Sequence, residues 1–120
     1  MVVSVELPRN LLATAVVVAL VGASVLPVGK LPGDPGNYLG HLSAYGVAMA
    51  ALSGIVGLRP LVAAAGLMAL GVGIEFIQPL VGRENHWQDM AANAAGVGIG
   101  WLALFVWSRR GRDTGNDSVP

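Results

Sequence analysis

The chain has 120 residues, 54% of them hydrophobic and 12% charged, with a mean hydropathy of +0.65. A soluble domain of this size carries about twice that charged fraction, so water is not its main solvent. Seven basic and seven acidic residues cancel, which removes the case for nucleic-acid binding; the lack of cysteine excludes thiol chemistry, and two histidines are too few for a multi-histidine metal centre.

The first apolar run extends from Leu11 to Val28, after Pro8, Arg9 and Asn10. Val21-Gly22-Ala23 resembles a signal-peptide cleavage site, but the run stays apolar to Val28, longer than a typical signal core, and reads as a span. The Pro/Gly-rich stretch from Gly29 to Gly36 is a loop. A second helix is expected over about 39–58, ending at Gly57-Leu58-Arg59-Pro60. That break is short enough to make the third helix, about 61–81, its antiparallel neighbour. A loop from Gly82 to about Gln88 leads into a fourth helix near 86–107, which ends before Ser108-Arg109-Arg110. Residues 1–110 thus read as one transmembrane domain and 111–120 as a disordered polar tail.

No run alternates apolar and polar residues with period two, which argues against a β-barrel, and the expected fold class is all-α, a four-helix transmembrane bundle. Four spans put both termini on one side. Arg9, Arg59, Arg109, Arg110 and Arg112 share that side, against Lys30 and Arg83 on the other, so the positive-inside rule makes both termini cytoplasmic in a multi-pass protein of the cell membrane. Trp107 suits the inner interface, and Tyr38 and Trp87 the outer one.

Ionisable groups within a span cost a few kcal/mol, so each requires a reason. His41 and Tyr45 open helix 2, Glu75 and Gln78 close helix 3, and Asp89 and Asn93 open helix 4. All fall in the outer half, and spacings of three or four place each pair on one helix face. Asp89, Asn93, Gly96 and Gly100 form one stripe, whose glycines mark close helix packing. Gly46, Ala50 and Gly54, and Ala65, Ala69 and Gly73, give helices 2 and 3 small-residue stripes as well. Arg83 is the expected counter-charge for Glu75 or Asp89.

Plainer readings stand beside these. Asn85 and Gln88 have capping-box spacing, which makes Asp89 a first-turn acid favoured by the helix dipole. Tyr45 and Trp87 also read as interfacial anchors, and His86 as a solvated loop residue. Glu75, an acid inside a span, reads as functional, and His41 as its hydrogen-bond partner or a proton carrier. Nothing in the spacing of Glu75, His41 and Asp89 demands a metal, and no cofactor is called for.

The string Glu75-Phe76-Ile77-Gln78, then Arg83, Asp89, Asn93, Gly96 and Gly100, resembles the VanZ-like family of small integral-membrane proteins, whose pattern also places a His-x-x-x-Tyr pair where His41 and Tyr45 stand. The resemblance runs from about Asn37 to Gly100. It departs at Asn37-Tyr38, where members often carry Asp-Lys, so a site using that pair lacks two charges unless Asp34 and Lys30 supply them. The family takes its name from low-level teicoplanin resistance, so the resemblance implies a protein of the cell envelope or of the glycopeptide-antibiotic response; it implies no reaction.

Three function classes follow. The favoured one is a membrane module, alone or as an oligomer, surrounded by membrane lipids and binding an envelope lipid, a glycopeptide or a partner membrane protein through His41, Tyr45, Glu75, Gln78, Arg83, Asp89 and Asn93. The alternative is a membrane-embedded acid/base hydrolase or transferase acting on a lipid-linked or anionic substrate, with Glu75, His41 and Asp89 as catalytic candidates. A transport component using Glu75 is the third, weakened by the small number of helices.

Overall fold

The computed structural model describes residues 7–25, 38–82 and 87–116. Arg83, Asn85 and His86 lie outside the described residues, as do the 26–37 segment with Lys30 and Asp34 and the last four residues of the expected tail.

The described residues are helical, with four α-helices and no strand: α1 Arg9–Val25, α2 Tyr38–Ala50, α3 Pro60–Ile77 and α4 Trp87–Asn116. Pro8 precedes α1, and its carbonyl accepts from two amides of the first turn, Leu11 N and Leu12 N, at 3.0 and 3.1 Å. The exit from α2 is more elaborate than a simple helix end. Residues Ala51–Ile55 form a π turn, in which Val56 N donates to Ala51 O at 3.0 Å and Leu58 N reaches back to Leu52 O at 3.0 Å. Gly57 then adopts a φ of +89°, which a side chain would strain, and turns the chain. Arg59 is extended, as a residue before proline prefers, and Pro60 opens α3 where its missing N–H costs nothing.

Two helix ends differ from the sequence expectation. The third helix is α-helical only to Ile77 and tightens into a 3₁₀ turn over Gln78–Val81, because Pro79 has no N–H for the α-helical ladder. The fourth does not stop near residue 107 but continues to Asn116, so 111–116 is helix rather than disordered tail. Apolarity ends at Trp107, yet no proline follows before Pro120 and arginine is a good helix former, so the polar stretch extends the same helix.

The packing follows small residues. α2 and α4 run parallel: His41 meets Asn93, Gly46 lies against Gly96, Met49 against Gly100, and Leu104 approaches Gly54. A Cβ on Gly96 would collide with the Leu42 carbonyl, and one on Gly100 would stand 2.6 Å from Gly46 O. Glycine at both positions is what lets two backbones touch. α3 runs antiparallel, with Gly71 against Tyr45 and Asn93. Its inward face carries Ala63, Ala64, Leu67, Gly71 and Ile74, whereas the Ala65, Ala69 and Gly73 stripe is exposed. The sequence singled out the wrong stripe because α3 is small and apolar on both faces, and contact with Tyr45 decides between them. α1 starts where α2 stops, with the Arg9 guanidinium beside Gly57, and contributes Leu20 to a core with Met49, Leu52 and Leu67.

Two helices, Pro60–Leu80 and Trp87–Arg112, are long and apolar enough to cross a membrane, and α1 is apolar but shorter. Less than a third of either stretch is buried. Large apolar side chains instead point outward on every helix, among them Val18, Val47, Leu61, Phe76 and Leu102.

Candidate functional site

The outer-half polar residues named from the sequence come from three helices and gather at one end of the molecule. His41 and Tyr45 from α2 and Asp89 and Asn93 from α4 are all buried, as is Gln78 just after α3. The helical repeat orders them in two tiers about 6 Å apart. The deeper tier is Tyr45, Asn93 and Gly71; four residues along each helix toward the same end stand His41, Asp89 and Glu75.

His41 ties the tiers together. Its Nδ1 lies 2.9 Å from Asn93 Oδ1, and its Nε2 lies 3.6 Å from Asp89 Oδ2. An amide oxygen only accepts, so Nδ1 donates to Asn93 and the ring is fixed with Nε2 toward the carboxylate. Both ring nitrogens thus face α4, where the sequence suggested Glu75 as the partner. Asn93 also directs Nδ2 toward Met90 Sδ at 4.0 Å, a weak acceptor. The other oxygen of Asp89, Oδ1, is buried and meets no donor among the described residues. A buried acceptor without a donor costs on the order of 1–3 kcal/mol, more when charged. Asp89 thus stands in the first turn of α4 and also faces the His41 ring.

Glu75 occupies a different position. It is half-buried, lies within electrostatic reach of the Tyr45 hydroxyl, and lines a groove of about 280 Å³ with Val72, Phe76, Trp87 and Met90. It therefore stands between the buried cluster and the outside of the α3–α4 pair. Arg83, the expected counter-charge, lies outside the described residues. Among the described residues no three histidine, aspartate or glutamate side chains converge as a metal site would require.

Gly71 is the site residue that sequence reading missed. A Cβ there would stand 3.1 Å from Asn93 Nδ2 and 3.2 Å from the Tyr45 hydroxyl, tighter than ordinary contact, so glycine gives both side chains their room. The signal was available in its spacing, four residues before Glu75 and seven before Gln78 on one helix face.

Comparison of the chain with protein families, with curated proteins and with solved structures finds no match.

Proposed function

We propose that the chain is a VanZ-like multi-pass protein of the cell membrane, with four spans and both termini cytoplasmic, serving the cell envelope or the response to glycopeptide antibiotics through a polar pocket at its outer side. The observation that carries this reading is the His41–Asp89–Asn93 cluster, buried with Tyr45 at the end of the molecule opposite Arg9, Arg59 and Arg109. Buried polar groups on apolar helices are costly, and two helices, α2 and α4, supply these to one place, which favours a binding role over chance. The unused acceptor on Asp89 gives the pocket a point at which a donor group is held. Susceptibility tests the reading. Expressing the chain in a glycopeptide-sensitive host raises the inhibitory concentration of teicoplanin, and Asp89→Asn removes the increase at equal protein level. No increase with the intact chain contradicts the proposal.

The alternative, an acid/base hydrolase or transferase acting on a lipid-linked or anionic substrate, draws on the same pair. An imidazole held by an amide on one side and facing a carboxylate on the other is oriented as a proton-transfer group needs to be. It predicts that expression depletes a lipid-linked pool and that Asp89→Asn abolishes the depletion.

A further inference from the structure

We infer that the groove between the start of α3 and the last apolar turns of α4 binds the phosphate of an anionic membrane phospholipid. The groove measures about 350 Å³, with Gly54 and Pro60 on one wall and Trp101, Phe105, Trp107 and Ser108 on the other. An arginine adjoins each wall: Arg59 immediately precedes Pro60, and Arg109 immediately follows Ser108. The Arg109 guanidinium lies over the Phe105 ring, 5.0 Å from its centroid. A ring face beneath a guanidinium orients a planar fork of donors, the form of positive charge that matches phosphate oxygens. Arg59 is exposed and is the N-cap of α3, where its side chain offers the first-turn amides no acceptor. The positive end of the α3 dipole therefore adds to the same field.

The charge balance of this end does not depend on any one pair. Arg9, Arg59, Arg109, Arg110 and Arg112 stand there against Asp113 among the described residues. Counting Glu6 and Asp117, their neighbours in the sequence, still leaves five basic residues against three acidic ones. That excess favours an anion over a cation.

Position selects a lipid as the source. The stretches Pro60–Leu80 and Trp87–Arg112, long and apolar enough to cross a membrane, both have an end on this side of the molecule. The groove therefore lies where hydrocarbon gives way to headgroups. Trp107, 80% exposed, suits that boundary, because an indole combines an apolar body with a polar edge. From Ser108 to Trp101 the α4 wall descends about 10 Å along the helix. At its base Leu104 takes the room that Gly54 leaves, 3.0 Å from where a Cβ would stand. A phosphate held near Ser108 thus leaves its acyl chains to run past Trp101 and the exposed Leu102. The Ser108 hydroxyl already donates to the Phe105 carbonyl at 2.8 Å, so the arginines carry the recognition. The inference rests on the membrane reading above and concerns the end of the molecule opposite the His41–Asp89 pocket.

The test uses the full chain in detergent micelles, offered phosphatidylglycerol and phosphatidylcholine, with native mass spectrometry counting the lipid retained. Phosphatidylglycerol is expected at about fivefold excess, falling to about twofold or less in Arg59→Gln and in Arg109→Gln. Both arginines are exposed, so the substitutions spare the core. Arg112→Gln, further along α4 and outside the groove, keeps the preference. Equal retention of the two lipids overturns the proposal, as does a preference that survives both groove substitutions. A loss as large in Arg112→Gln also overturns it, since that result marks diffuse attraction to the basic end. Glycerol phosphate displacing the lipid at equal concentration overturns the lipid source. Alkaline carbonate extraction of the same expressed protein checks the underlying reading separately: the chain stays with the membrane, and its release overturns the membrane assignment whatever the lipid counts show.

Discussion

His41 carries the strongest argument for a built polar site, because both of its ring nitrogens find α4 side chains in the interior. Replacing its partner by shape and by chemistry separates two contributions. Asp89→Asn keeps the volume and presents an amide to Nε2, so thermal stability in detergent is expected to change by less than about 1 kcal/mol. Asp89→Leu leaves the imidazole buried beside an apolar group and is expected to cost about 1–3 kcal/mol. Equal losses in a thermal-shift series would mean that His41 draws nothing from the carboxylate. The residues of this cluster were legible in the sequence because acids, amides and histidine stand out on apolar helices. Their pairing was not. Spacing along a helix fixes which side chains share a face, but the choice of Asp89 over Glu75 as the partner of His41 depends on how two parallel helices are rotated against each other.

The contact between α2 and α4 sets that rotation, and it depends on glycine. Gly96 packs on the Leu42 carbonyl, whereas Gly98, two residues on, faces open space, with nothing within 4 Å of where a Cβ would stand. Gly96→Ala is expected to destabilise the protein by about 1–3 kcal/mol through overpacking. Gly98→Ala adds helix propensity in open space and is expected to stabilise by up to about 1 kcal/mol. Melting temperatures that move in the same direction for both would contradict the helix contact. The Asp89-Asn93-Gly96-Gly100 spacing pointed to this stripe, since charge, amide and glycine fall on one line. The stripe of α3 was ambiguous for the opposite reason: alanine and glycine occur on several of its faces, and only the approach of Tyr45 and Asn93 to Gly71 distinguishes one. The π turn at Ala51–Ile55 had no signature, because its five residues are acceptable in an α-helix and the wider ladder arises from how Leu58 folds back over Gly57.

At the scale of the molecule, charge is polarised. Glu75 and Asp89 lie toward one end, while Arg9 beside Gly57, Arg59 before Pro60, and Arg109 over the Phe105 ring at 5.0 Å lie toward the other, with Asp113 further along α4. Between them the helices turn large apolar side chains outward, so their faces suit lipid better than water. The run lengths and the arginine asymmetry made this polarity legible in the sequence; the helical continuation to Asn116 was not, since loss of hydropathy marks the end of a span and not of a helix. The central claim is that the polar pocket opens on the outer side of the membrane. The chain has no cysteine, so single cysteines report location without background. In intact cells a membrane-impermeant maleimide is expected to label Glu84→Cys, which precedes α4 in the sequence, and to reach Arg112→Cys only after permeabilisation. Labelling of Arg112→Cys in intact cells, with Glu84→Cys protected until permeabilisation, would place the pocket on the cytoplasmic side and contradict the account.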